Sequence, residues 1–226
     1  MLLLVVDTSG KQGSIALARG NENESCEVVE SVALGGGMFS AQLVPQVASL
    51  LSKHGFTRQK IEAFVAVSGP GSFTGLRVGL AAIKGLAEVL DKPIAAVSLL
   101  EVVAASASAS GNVRAVLDAG REGIYVGEYE VSAAGATLIS ENLVRREAFM
   151  GSGYLGQSAL ATPDTNIGDA LRAKGLGFLE VETLSIASVA RLGWKKLLSG
   201  VTVSPEALEA NYIGRSDSQI FSNAKP

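Results

Sequence analysis

The chain opens on an unbroken apolar run, Leu2-Leu3-Leu4-Val5-Val6, closed by the polar cluster Asp7-Thr8-Ser9-Gly10-Lys11-Gln12-Gly13. A short continuous apolar run predicts a buried strand, and the cluster behind it predicts a turn. Residues 14–18 resume as a strand, so 2–18 reads as a hairpin. After a second polar turn at 21–25, residues 26–34 read as a third strand. Gly35-Gly36-Gly37 breaks the chain. Leu43, Val47, Leu50 and Leu51 then fall at helical spacing and predict a helix over 40–54, with Pro45 in its first turn. An apolar strand is predicted at 61–67, a Gly-rich loop at 68–74, a helix at 75–90, a strand at 93–97 and a helix at 99–108.

Residues 106–112, Ser-Ala-Ser-Ala-Ser-Gly-Asn, have linker composition. Two further strands are predicted at 113–119 and 124–131, and an amphipathic helix at 185–198. Residues 135–180 show no clear period, and 204–226 form a polar tail. The second half opens strand–turn–strand like the first, a weak internal echo. The expected division is therefore an N-terminal lobe, 1–108, and a C-terminal lobe, 109–226. Whether the tail packs back onto the first lobe is left open.

Composition narrows the chemistry. In 226 residues there are 19 Lys and Arg against 22 Asp and Glu, a net charge of −3. That balance does not suit a protein that grips nucleic acid unaided. The single Cys and single His exclude an intrachain disulfide and a zinc site built from several Cys or His ligands. The opening run is too short for a signal sequence and no apolar run reaches the length of a membrane span, so the cytoplasm is the expected compartment.

The most informative stretch is Gly69-Pro70-Gly71-Ser72-Phe73-Thr74-Gly75-Leu76-Arg77-Val78-Gly79. A strand runs into a Gly-rich turn and a helix start, where free N–H groups can hold an anion and Ser72 or Thr74 can cap. Neither the Walker pattern nor the dinucleotide fingerprint is met, since no Lys follows Gly75 and Thr74 stands where a third Gly is required. The competing reading is packing. Gly71, Gly75 and Gly79 lie four apart and Ala82 continues their face, which lets another backbone approach closely, either the chain's own sheet or a partner helix.

This stretch, with Lys84-Gly85-Leu86-Ala87 behind it, resembles the signature of the TsaB (YeaZ) family. Asp7-Thr8-Ser9, Ser40-Ala41-Gln42-Leu43-Val44-Pro45, Val97-Ser98-Leu99-Leu100, Leu117-Asp118-Ala119 with Arg121-Glu122-Gly123-Ile124-Tyr125, and Asn211-Tyr212-Ile213 agree in order. The resemblance implies an α/β, two-lobed actin/Hsp70-like (ASKHA) fold with mixed sheets and a ribonuclease-H-like N-terminal lobe. It implies a non-catalytic accessory subunit that activates the TsaD subunit in making threonylcarbamoyladenosine on tRNA. Expected partners are TsaD as a heterodimer, the TsaE ATPase, a second copy of the chain, and tRNA through the complex. No cofactor is expected on this chain; ATP and metal would sit on the partner subunits. The rival readings are an ATP-dependent phosphotransferase of the same fold and a peptidase.

The chain departs from the family pattern at Phe39, Gly120 and Gly214, where many relatives carry His, Arg and Arg; Arg215 comes one place late. The expected partner interface comprises Leu43, Val47, Gly71, Gly75, Arg77, Gly79 and Ala82. Asp7 and Ser72 are the candidates for a degenerate nucleotide site. Asp7 reads either as a phosphate- and metal-facing carboxylate or as a turn cap, and Asp118 reads the same way in the second lobe. His54 before Gly55 reads as a helix C-terminus and Cys26 as a small core hydrophobe. Trp194 is expected in the core, with Lys195 and Lys196 at a solvated edge.

Overall fold

In the computed structural model of the chain the described residues are 1–35, 37–120, 123–133, 135–151 and 158–214. Gly36, Arg121, Glu122, Arg215 and the tail 215–226, all drawn on in the sequence reading, lie outside them. The strands are β1 (Leu2–Asp7), β2 (Gly13–Gly20), β3 (Cys26–Leu34), β4 (Ala63–Gly69), β5 (Ile94–Ser98), β6 (Gly111–Asp118), β7 (Gly123–Ser132), β8 (Gly135–Arg145), β9 (Ala159–Thr162) and β10 (Leu179–Glu180). The helices are α1 (Phe39–Lys53), α2 (Phe73–Leu90), α3 (Leu99–Ser106), α4 (Arg146–Gly151), α5 (Thr165–Ala173) and α6 (Ile186–Leu198).

The chain divides into two compact units, one of Met1–Val102 with Leu184–Ala210 and one of Val103–Thr183 with the described residues 211–214. The first unit is built on a five-stranded sheet in the order β3-β2-β1-β4-β5. β1, β2 and β3 are antiparallel neighbours, while β4 runs parallel to β1 and β5 parallel to β4. The unbroken apolar run of β1 follows from burial on both faces. Leu2, Leu4 and Val6 pack with α1 and α2, and Leu3 and Val5 pack with α6. β4 divides in the same way, Phe64 and Ala66 to one side and Val65 and Val67 to the other.

The second unit repeats the plan. Its sheet runs β10-β9-β6-β7-β8, three antiparallel strands followed by two parallel ones. The echo that is faint in sequence is therefore complete in topology. Two mixed sheets with helices and a ribonuclease-H-like first unit make this the α/β, actin/Hsp70-like fold.

Three expectations need correction. The helix at 185–198 was placed in the second lobe, yet α6 covers the first unit's sheet through Val189, Ala190, Leu192 and Trp194. Apolar periodicity marks which face of a helix is buried but not which sheet buries it. The chain also stays with the first unit through 203–210, where Val203 N–H donates to Ile94 O (2.9 Å) and Leu208 enters the core beside α1 and α2. The division thus falls at Val102, inside α3, rather than at the Ser-rich segment after it. Pro45, expected in a first turn, is the seventh residue of α1 and lies on its exposed side.

Candidate functional site

The Gly-rich loop and the start of α2 are locked to the turn after β1. Asp7 Oδ1 accepts from Ser9 N–H (2.9 Å) and from Ser9 Oγ–H (2.5 Å), so the carboxylate closes its own turn. Ser9 O in turn accepts from Ser72 N–H (2.6 Å). Ser72 is the N-cap of α2, its Oγ accepting from Gly75 N–H (3.3 Å). Thr8 Oγ1 donates to Gly75 O (2.8 Å), and Thr8 is buried. Asp7 and Ser72, the two nucleotide-site candidates, are thus brought together through Ser9.

The small residues of the loop and of α2 serve this contact. A methyl group on Gly71 would stand 2.4 Å from Ser9 O, one on Gly75 2.1 Å from Thr8 O, and one on Gly79 2.2 Å from Thr8 Oγ1. The close approach at these three positions is to the chain's own turn after β1, not to a strand of its sheet. Leu43 and Val47 lie in the core below α1. Four of the seven expected interface residues, Leu43, Val47, Gly75 and Gly79, are therefore interior. Their regular spacing marks the inward faces of the helices. Gly71 and Ala82 are partly exposed and Arg77 is exposed, its guanidinium 3.7 Å over the Phe73 ring.

The outward faces carry different residues. On α1, which packs beside α2, these are Ala41, Val44, Pro45 and Ala48, with Val44 56% exposed. On α2 the outward stripe is Arg77, Ala81 and Gly85. Of these outward residues only Arg77 is among the expected interface residues; the others are the complement of the apolar stripe on each helix.

The remaining candidates have structural partners. Asp118 Oδ1 accepts from Gly120 N–H (3.0 Å) and pairs with Arg146 Nη2 (2.7 Å). His54 follows the last turn of α1, its Nε2 2.7 Å from Glu30 Oε2, and Lys53 Nζ lies 2.5 Å from Glu30 Oε1. These contacts, from Lys53 first and then His54, hold the Glu30 carboxyl below the ordinary glutamate range. Burial pushes the Cys26 thiol up to about 11, as befits a core residue. Trp194 is buried and its Nε1–H donates to Asn21 O (3.2 Å). Lys195 is exposed as expected, but Lys196 is no solvated edge: its Nζ lies 2.7 Å from Glu101 Oε2, both side chains being mostly covered.

The departures from the family pattern also have a local account. Phe39 is buried, its ring against Gly13 and Gly75, where it fills the corner between the β1 turn and α2. Gly120 and Gly214 have φ of +72° and +71°, and a methyl on Gly214 would stand 2.5 Å from Leu143 Cβ. An arginine at either position would be strained. Among the described residues no group of three or more His, Cys, Asp or Glu could hold a metal ion, and no helix is long and apolar enough to cross a membrane.

Comparison with known proteins agrees with this architecture. The family model described as TsaD: tRNA N6-adenosine threonylcarbamoyltransferase matches residues 37–187. The chain is 37% identical over 131 residues to the tRNA threonylcarbamoyladenosine biosynthesis protein TsaB of Bacillus subtilis, covering 58% of this chain and 56% of that one. It is 31% identical over 134 residues to the protein of the same name from Escherichia coli, covering 58% and 55%. The matches thus span little more than half the length of these curated relatives. The solved structure of YeaZ from Pseudomonas aeruginosa shares the fold at a TM-score of 0.70 and 24% identity, over 94% of this chain and 99% of that one.

Proposed function

The chain belongs to the TsaB (YeaZ) family, and on that premise we propose that it is a non-catalytic accessory subunit in tRNA threonylcarbamoyladenosine synthesis, which binds and activates TsaD. The observation that carries this reading is the outward face of the α1–α2 pair. Ala41, Val44 and Ala48 beside Ala81 and Gly85 offer small side chains, with the exposed Arg77 one turn before Ala81, which suits close helix-on-helix contact. The same face serves self-association as a homodimer. TsaE joins the assembly in the cytoplasm, ATP and metal are held by the partner subunits, and tRNA is engaged within the complex. Binding acts by favouring the partner state that fits this face.

A structural role is also supported by how the Gly-rich loop is used. Its glycines accommodate Thr8 and Ser9, and Ser72 N–H is given to Ser9 O, so the elements that would cradle a phosphate pack on the chain itself.

The test mixes the chain with TsaD from the same source and reads mass by size exclusion with light scattering. A heterodimer is expected, and it is expected to be lost with Val44→Glu plus Ala81→Glu while monomer stability changes by no more than about 0.5 kcal/mol per site. No heterodimer with the wild-type chain, or a heterodimer indifferent to both substitutions, would sink the proposal.

A further inference from the structure

The first unit carries a basic surface that the Gly-rich loop does not use and that meets the outward helix face only at Ala48. Three grooves of about 550, 230 and 460 Å³ adjoin there, the first two sharing Phe56 and the first and third sharing Arg58 and Gln59. Arg19, Arg58, Lys60 and Lys92 line them, against the single carboxylate of Glu62. Glu62 is engaged, its Oε2 accepting from Leu2 N–H (2.7 Å). None of the four cations pairs with a carboxylate among the described residues, and what sets them apart from other such cations, Lys11, Lys174 and Lys195 among them, is that they line adjoining grooves. The segment from Lys53 to Lys60 contains no acidic residue, in a chain whose net charge is −3. Unpaired cations gathered at one place in an acidic protein repel one another, and a polyanion relieves that repulsion.

We propose that this basic end of the first unit is a docking surface for the phosphodiester backbone of RNA. The grooves adjoin through shared residues and each is lined by at least one of the cations, which fits several phosphates of one strand better than a flat lipid surface. Phe56 does not project as a bilayer anchor: it is half-buried, beneath the Arg19 guanidinium (5.6 Å) and stacked beside His54. The C-terminal ends of both α1 and α2 line these grooves, so the surface borders the face assigned to the protein partner. That the RNA is tRNA rests on the function proposed above; the docking chemistry does not.

The test titrates an in vitro transcribed tRNA with the full chain, alone and with TsaD, by fluorescence anisotropy over a range of salt. Four phosphate contacts give a slope of log K on log salt of about −3. Arg58→Gln, Lys60→Gln and Lys92→Gln together are expected to weaken binding about tenfold or more and to flatten the slope by about 2 to 3. Lys11→Gln, Lys174→Gln and Lys195→Gln remove the same charge elsewhere and are expected to change affinity by less than about twofold. Equal losses from the two sets, no binding by the wild-type chain in either form, or loss of phosphatidylglycerol vesicle binding with RNA binding kept would each overturn the proposal. Light scattering with TsaD separates the two readings. Loss of RNA binding with the heterodimer intact supports this one, while RNA binding retained without a heterodimer would remove only the accessory-subunit reading.

Discussion

A methyl group added to Gly79 would meet Thr8 Oγ1 at 2.2 Å, whereas at Gly85 it would meet nothing within 4 Å. Both glycines lie inside α2, where alanine is favoured by about 1 kcal/mol. Gly85→Ala is therefore expected to stabilise the chain by about 0.5–1 kcal/mol. Gly75→Ala is expected to destabilise it by about 1–3 kcal/mol, because the obstacle there is the backbone oxygen of Thr8, which cannot rotate away. Urea unfolding of the two variants checks the pair, and equal signs would refute the internal-packing account. Cys26 offers a second test at this scale. With its thiol at about 11 and buried, almost no thiolate exists at pH 8, so a disulfide reagent is expected to label it only after unfolding. Labelling of the native chain at the unfolded rate would contradict the burial. Glu30 supplies a pH dependence. Its folded pKa is depressed, first by Lys53 and then by His54, so its contribution is present above the unfolded value and is lost as pH falls through the folded one. The difference in Tm between wild type and Glu30→Gln is thus expected at pH 7 and expected to shrink as acidification passes below the ordinary glutamate range and through the depressed folded pKa. A difference that stays constant throughout acid titration would assign the effect to something other than the charge.

At the scale of the element, α6 shows how one helix closes a sheet. Gly193 lies where a methyl would stand 2.3 Å from Val65 Cγ1, and the Trp194 ring covers Gly20 so closely that a methyl there would meet Cδ2. A large ring over a glycine and a glycine over a valine bring helix and sheet together without a gap. Trp194→Ala removes the ring and leaves Gly20 uncovered, at an expected cost of about 3–5 kcal/mol in urea unfolding followed by circular dichroism. A loss below about 1 kcal/mol would mean that α6 docks through other contacts. Elements of this kind were readable where the pattern is long or saturated: β1 and β4 as unbroken apolar runs, α1, α2 and α6 by their periodic stripes. The stretch 135–180 was not, for a physical reason. β8 is an edge strand with Leu138 and Ile139 both largely exposed around a register shift, so its alternation is broken. β9 and β10 have four and two residues, too few to show a period.

The whole molecule is assembled from pieces distant in sequence, and here the sequence was least informative. The small residues of α2 stood out at once, but a spacing of four marks one face of a helix without saying whether that face looks in or out. Gly75 and Gly79 look in, while Arg77, Ala81 and Gly85, on the same spacing, look out. In the same way the composition of 106–112 suggested a linker, yet the first unit regains the chain at Leu184 and keeps it to Ala210. The returning segment supplies Val189, Ala190, Leu192 and Trp194 to one face of the first sheet and Leu208 to the other. Without it, Leu3, Val5, Val65 and Val67, all buried in the intact chain, would lose the helix that covers them. Each such side chain contributes about 1.5–3 kcal/mol by burial, and a small domain's whole stability is about 5–15 kcal/mol, so the loss is of the order of the total. Residues 1–108 alone are therefore expected to unfold without a cooperative transition and to bind a hydrophobic dye. Adding a peptide of residues 184–210 in trans is expected to restore the transition and suppress the dye signal, with a midpoint that rises with peptide concentration. A cooperative transition in 1–108 alone, unchanged by the peptide, would show that the N-terminal stretch is a self-sufficient domain and that α6 merely decorates it.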